Sequence, residues 1–326
     1  MTQAILPLAT LASLAAIAGS IWYDTLHPGT FAPATNRAAG FPGNANFAAL
    51  VAVMLCAGGL DFGNPKRSIE RPSEFDSTSY RHVVRGSLTN ILLLVTTFAV
   101  VCMTMSRSGA LNFALLYSVY IFYRFARSTI SWRQRLFEVA LLLAAVALAV
   151  GFTVAFTRFS ATTHTTSRLT RLLNNERVDD GSAGTRLQAI NEGLNLINSA
   201  PILGHGTGFA RTMSELPHNI YLQQWVNNGL PGLVSYSLFL VSAFLTFVRR
   251  GSRNGVALIA VATLGGIFSH NILDQRPFLI LLGLLLGLSQ GDRQARGSVL
   301  WLARHRTAAT LPHVHGLASA DPATAQ

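Results

Sequence analysis

The run LPGLVSYSLFLVSAFLTFV, Leu230–Val248, decides the fold. Its nineteen residues carry no charge, and Arg249 and Arg250 follow directly. A bilayer core of about 30 Å takes roughly 20 apolar residues in a helix, so this run reads as a transmembrane helix. Seven further runs extend the pattern: Ile5–Trp22, Asn46–Leu60, Leu88–Met105, Gly109–Phe125, Leu136–Phe156, Gly255–Leu273 and Phe278–Gln290. The longest, Leu136–Phe156, has 21 residues and one charge, Glu138, near its start. Asn46–Leu60 and Phe278–Gln290 are short and suit a thinned or protein-lined region. Pro277 suits a helix start for the last one.

The composition agrees. Half of the 326 residues are apolar, mean hydropathy is +0.38, and 12% are charged, against about 25% in a soluble domain. The net charge of +11 comes from 24 Arg and Lys66 set against 14 acids. A nucleic-acid binder gathers such charge on a polar face. Here it sits between apolar runs, so the expected partner is a lipid bilayer and no nucleic acid. Cys56 and Cys102 both fall within apolar runs and support neither a disulfide framework nor a cysteine metal site.

Cytoplasmic loops of membrane proteins are enriched in Lys and Arg. Segments 61–87, 126–135, 249–254 and 291–326, with Arg124 at the edge of its run, hold sixteen of the 25 basic residues. The alternate loops hold nine: Arg37, Arg107, Arg276 and six in the long loop 157–217. That loop also carries Glu176, Asp179, Asp180, Glu192 and Glu215 and is close to charge balance. The expected architecture is an all-α polytopic transmembrane bundle of about eight spans over residues 1–306. Both termini are cytoplasmic, loop 157–217 is periplasmic, and 307–326, rich in Ala, Thr and Pro, is a disordered cytoplasmic tail. Ala16-Ile17-Ala18 resembles a signal-peptide cleavage site, but Met1-Thr2-Gln3 supplies no positive n-region, so the first run is taken as a span.

Loop 157–217 is long for a connection. Within Arg186–Asn198, Leu187, Ile190, Leu194 and Ile197 recur at helical spacing. Ser182-Ala183-Gly184-Thr185 offers capping residues and Pro201 an end. A short amphipathic helix is expected, lying on the outer membrane face or packed on the bundle.

Polar residues stand in three outward places where a bundle does not need them. Ser106-Arg107-Ser108-Gly109 separates two runs; on its own Arg107 reads as an interfacial arginine that snorkels. Arg186 is followed by Pro201-Ile202-Leu203-Gly204-His205-Gly206-Thr207-Gly208, whose glycines could let backbone N–H groups approach an anion or simply make turns. His218-Asn219 closes the long loop, ahead of Gly229-Leu230-Pro231-Gly232. A lone His is more often structural than catalytic, and His270, near the outer end of a later run, is either a decoy or a partner.

The spacing His218, Asn219, nine residues, Gly229-x-x-Gly232 resembles the signature of the O-antigen ligase family. The likeness continues in chain order. Arg37-Ala38-Ala39-Gly40-Phe41-Pro42-Gly43-Asn44-Ala45-Asn46 is similar to the family's early outer-loop Arg-x-x-Gly…Asn-Pro-Asn element, with Ala45 in place of the proline. Ser106-Arg107-Ser108-Gly109 is similar to its Ser-Arg-Gly/Ser-Gly turn. Thr185-Arg186 and Pro201-Ile202-Leu203-Gly204-x-Gly206 resemble the element before the His motif. The likeness covers roughly residues 30–290, and the family usually has ten or more spans, so eight implies a compact member or missing early helices.

The resemblance implies a membrane glycosyltransferase of the bacterial inner membrane, with its active site facing the periplasm. It moves a glycan from undecaprenyl diphosphate to an acceptor hydroxyl on lipid A-core or a growing glycan. Charge developing on the diphosphate needs stabilising where water is scarce, and guanidinium forks match phosphate oxygens. Arg107 and Arg186 are the expected clamps and Arg37 a third contact. His218 is the expected general base, since imidazole changes charge near neutral pH, or the group that orients the acceptor. Asn219, Gly204 and Gly206 complete the expected binding set. Direct displacement with one base implies inversion at the anomeric carbon. No cofactor and no metal are expected, because Glu176, Asp179, Asp180 and Glu192 lack the paired spacing of a metal-binding glycosyltransferase. The rival readings are a repeat-unit polymerase of the same family, a transporter or flippase for lipid-linked glycan, and a structural membrane subunit. A transporter places ionisable residues at mid-bilayer, whereas these charged candidates lie at one face.

Overall fold

The structure, a computed structural model, describes residues 2–31, 38–62, 77–125, 181–269, 272–273 and 276–290. The expected span Leu136–Phe156, the first part of the long loop with Glu176, Asp179 and Asp180, Arg37, His270 and the tail 307–326 lie outside the described residues.

Eight α-helices run through the described residues: α1 (Thr2–Leu26), α2 (Ala45–Gly59), α3 (Ser77–Thr104), α4 (Arg107–Phe125), α5 (Gly181–Ser199), α6 (Ile220–Arg250), α7 (Arg253–Phe268) and α8 (Arg276–Gln290). A short 3₁₀ turn spans Phe209–Thr212. No strand occurs among the described residues, so the expected all-α bundle is what forms. Two stretches are long and apolar enough to cross a membrane, Ile5–Leu26 in α1 and Ile220–Arg250. Ala45–Gly59, Leu88–Thr104, Arg253–Phe268 and Arg276–Gln290 are shorter apolar helices.

The shortness of α2 has a packing explanation. Ala48 through Met54 are all buried, so the helix is covered all round. It packs against α1, α3, α4 and α7, which makes it the central helix. A helix apolar on every side belongs in a core. Small side chains set the spacing there: a Cβ on Gly109 of α4 would overlap Ala49, the close approach that small residues allow between membrane helices.

Polar side chains tie one end of the bundle together. Asn254 Nδ2 at the start of α7 lies 3.0, 3.0 and 2.6 Å from the carbonyls of Ala57, Gly58 and Leu60, occupying the orphan acceptors at the end of α2. Beside it, Arg253 donates to Phe62 O at 2.9 Å and covers the Tyr123 ring at 5.0 Å. Arg250 donates to Leu286 O and Ser289 Oγ at 3.0 and 3.2 Å. Asn90 exchanges hydrogen bonds with the Asp61 backbone at 2.8 Å. The starts of α2, α4 and α6, with every described motif residue, belong to the opposite end.

Helix α6 begins ten residues before the apolar run Leu230–Val248. It is broken at Gly229, whose φ of 64° and ψ of −161° are not helical. Tyr221 and Tyr236 sit on either side of that break with ring centroids 5.3 Å apart. In a straight helix, fifteen residues at 1.5 Å each separate two positions by about 22 Å. The break therefore swings Ile220–Asn228 back over the bundle.

Candidate active site

The turn between α3 and α4 is tight and locally strained. Met105 takes φ 47°, a left-handed conformation that costs a non-glycine residue roughly 1–2 kcal/mol. Ser106 Oγ then accepts from the Gly109 amide at 3.0 Å, capping α4, and donates to Asn46 Oδ1 at 3.0 Å. That second bond joins the Ser-Arg-Ser-Gly turn to the first turn of α2. Arg107, exposed, is the first residue of α4. A cation at a helix N-terminus opposes the macrodipole, so helix stability does not account for arginine there.

The start of α2 explains why Ala45 is tolerated. Asn44 Oδ1 accepts from the amides of Asn46 and Phe47 at 2.9 and 3.2 Å, and Ala45 occupies the first helical position. Proline suits that position because its N–H is an orphan anyway and its fixed φ is already helical; the cap itself comes from Asn44, so alanine leaves it intact. Just upstream, buried Asp24 accepts from the amides of Phe31, Ala39 and Gly40 at 3.1, 2.8 and 3.3 Å. It anchors the chain on both sides of Arg37. Sequence reasoning passed over Asp24, although an acid at the outer end of an apolar run was a visible signal.

The amphipathic helix of the long loop starts earlier than expected, at Gly181. It packs on the first part of α6, which it follows in parallel. A Cβ on Gly193 would meet Leu222, and Ile197 shares a small core with Val226, Met213 and Ala210. The expected apolar stripe divides: Ile197 is buried, while Leu187, Ile190 and Leu194 are exposed. The packed face is carried instead by Ala189, Gly193 and Ile197. At 100° per residue Arg186 falls on this same face, and its Nε is buried without a hydrogen-bond partner.

The Pro-Ile-Leu-Gly-His-Gly stretch docks on the break in α6. Pro201 O accepts from the Leu230 amide at 3.1 Å and from Trp225 Nε1 at 3.0 Å. The amides of His205 and Gly206 donate to Val226 O and Asn227 O at 2.9 and 2.8 Å, and that of Gly204 to Ala200 O at 3.0 Å. Asn227, itself buried, accepts from the Ala210 amide through Oδ1 at 2.7 Å, and Thr207 donates to Asn228 Oδ1 at 3.1 Å. The N–H groups of Gly204 and Gly206 thus already serve carbonyls of the protein. His205 has a structural place, with Nε2 2.9 Å from Leu196 O and its ring stacked on Phe209 at 4.6 Å.

His218 lies exposed immediately before α6. Asn219 is the N-cap, its Oδ1 accepting from the amides of Tyr221 and Leu222 at 2.9 and 3.1 Å, so its side-chain oxygen is taken up in starting the helix. Glu192 of α5 holds the approach to His218, accepting from Ser214 Oγ at 2.5 Å and from the Ser214 amide at 3.3 Å. Asn227, Asn228 and Glu192 were missed in the sequence; the signal was a cluster of amides and an acid beside apolar helix positions.

A continuous series of contacts connects these pieces. Ile220, beside the His218-Asn219 pair, meets Gly266 of α7; neighbouring Gly265 meets Leu50 of α2; and Ala49 meets Gly109, two residues from Arg107. The starts of α2, α4 and α6 and the packed face of α5 are therefore assembled at one end. Arg37 and His270 fall outside the described residues.

Residues 92–237 match the O-antigen ligase family. No curated protein matches the chain. The matched range runs from α3 to beyond the break in α6 and takes in Arg107, Arg186, the docked glycine loop and His218. The family is one of membrane proteins acting as glycosyltransferase-like ligases on lipid-linked glycans and polysaccharide acceptors. Over residues 92–237, less than half of its length, this chain is similar to the O-antigen ligase family.

Proposed function

We propose that the protein transfers a glycan from undecaprenyl diphosphate to an acceptor hydroxyl, in lipopolysaccharide or exopolysaccharide biosynthesis, at the periplasmic face of a bacterial inner membrane. The observation that carries this reading is Arg186. Its Nε has lost water without gaining a protein acceptor, on the helix face that packs beside the His218 loop. An unmet buried donor costs about 1–3 kcal/mol, and more when charged. A diphosphate oxygen would supply the missing acceptor, and a guanidinium stays charged on partial desolvation.

In this reading the acceptor O–H gives its proton to an imidazole nitrogen of His218 as the acceptor oxygen attacks the anomeric carbon. The bond from that carbon to the diphosphate oxygen breaks, and its electron pair leaves with the polyprenyl diphosphate. Attack opposite the leaving group inverts the anomeric centre. Arg107 and Arg186 stabilise the charge gathering on the leaving group, with Arg37 as a third contact. Asn219 and the glycines 204 and 206 shape the binding surface through the cap and the docked loop. No metal enters the scheme. The arginines at the end opposite the motifs suit the cytoplasmic side.

Deletion in the native host with glycolipid profiling tests the proposal. Loss of long-chain glycan with lipid-linked polymer accumulating means ligation. Single-repeat products mean polymerisation. An unchanged glycan profile contradicts both.

A further inference from the structure

The docked loop carries an apolar tip that the proposed reaction does not use. Pro201, Ile202 and Leu203 are consecutive and exposed, Ile202 to 65% and Leu203 to 81%. Turns normally expose polar residues or glycine. The tip is not held out by accident, because Pro201 O is bonded to both Leu230 and Trp225.

Leu230 begins an exposed apolar stripe on α6. Leu230, Val234, Leu238, Val241, Leu245 and Val248 recur on one helical face and are 43–61% exposed. On a helix long and apolar enough to cross a bilayer, such a stripe is the surface that lipid tails cover. The tip hydrogen-bonds to the first residue of that stripe, so the lipid-facing surface continues from α6 into the loop. Trp225, half-buried, joins the two with its indole N–H on Pro201, the amphipathic side chain that membrane–water boundaries favour.

We infer that Pro201-Ile202-Leu203 inserts into the hydrocarbon edge of the bilayer and anchors the loop there, fixing the height of the His218 segment above the lipid. The inference rests on α6 being a membrane span and on no assignment of chemistry. Its failure and that of the proposed transfer are therefore separable.

The test uses the full-length chain in phosphatidylethanolamine–phosphatidylglycerol vesicles. Cys56 and Cys102 are replaced by Ala, and a polarity-sensitive fluorophore is attached to Leu203→Cys or, separately, Asn195→Cys. Asn195 is an exposed polar position on α5. The label at 203 should emit at shorter wavelength and be quenched several-fold more by brominated lipid than the label at 195. Equal quenching at the two positions, stronger quenching at 203 by aqueous iodide, or shielding from both quenchers overturns the inference. Should the cysteine-free chain fail to fold, Leu203→Trp in the native background is read against wild type. An added bromolipid-quenchable emission supports insertion, and no added quenchable component contradicts it.

Discussion

Gly229 presses on the carbonyl of Ile202 so closely that no Cβ can stand between them. Its φ of 64° and ψ of −161° lie in a region open essentially to glycine alone. The contact binds the glycine loop to the break in α6, and the break turns the His218 segment back over the bundle. Gly229→Ala is expected to lower stability in detergent by at least about 2–3 kcal/mol and to abolish glycan transfer. Thermal unfolding and a transfer assay on the same preparation check both outcomes. Full stability with alanine would show that the break does not depend on this contact.

Arg186 separates function from stability. The buried Arg186 Nε–H without an acceptor weakens the folded state, so replacing the side chain with an apolar one of similar length is expected to be neutral or stabilising. Arg186→Met should keep or raise the unfolding midpoint while losing transfer. A clear fall in midpoint would mean that the guanidinium has a structural partner. Arg186→Lys and Arg107→Lys should each lower transfer by about 10²-fold, as when one donor to developing charge is removed, because lysine cannot present the fork. Retained activity in both variants would remove the clamp.

Asn219 discriminates a cap from a substrate contact. Asp serves as well as Asn at an N-cap, whereas Ala costs about 1 kcal/mol. Asn219→Asp should therefore keep stability and most activity, while Asn219→Ala loses about 1 kcal/mol in denaturation and weakens transfer in proportion. If the aspartate variant is stable but inactive, the side-chain amide itself contacts substrate.

The opposite end of the bundle supplies a control. Asn254→Ala strands the carbonyls closing α2 and should cost about 1–3 kcal/mol. Transfer per folded molecule should stay unchanged, since no motif residue is near. A selective loss of turnover at full stability would show that the two ends are coupled.

Much of this could be read in the sequence because lipid and water sort residues strongly. Apolar runs marked the helices among the described residues, although the helix expected over Gly255–Leu273 already ends at Phe268, and Pro201 marked the end of α5. Periodicity alone did not place the face of α5. Leu187, Ile190 and Leu194 match the pattern as well as Ile197 does, and only the partner surface around Leu222 and Val226 selects Ala189, Gly193 and Ile197 for packing. The glycine loop looked like an anion cradle because spacing reveals freedom of the backbone and not where its N–H groups point. Asp24, Glu192, Asn227 and Asn254 were missed because each acts on backbone atoms 7 to 197 positions away in the chain, and a single sequence does not announce those partners.

The central claim is that one imidazole at the start of α6 takes the acceptor proton. It is met most directly by His218→Ala in proteoliposomes supplied with polyprenyl-diphosphate-linked glycan and acceptor, with protein level and folding matched to wild type. Loss of the general base should lower transfer by about 10²–10⁴-fold while the folded protein remains in the membrane. Transfer at the wild-type rate would contradict the account.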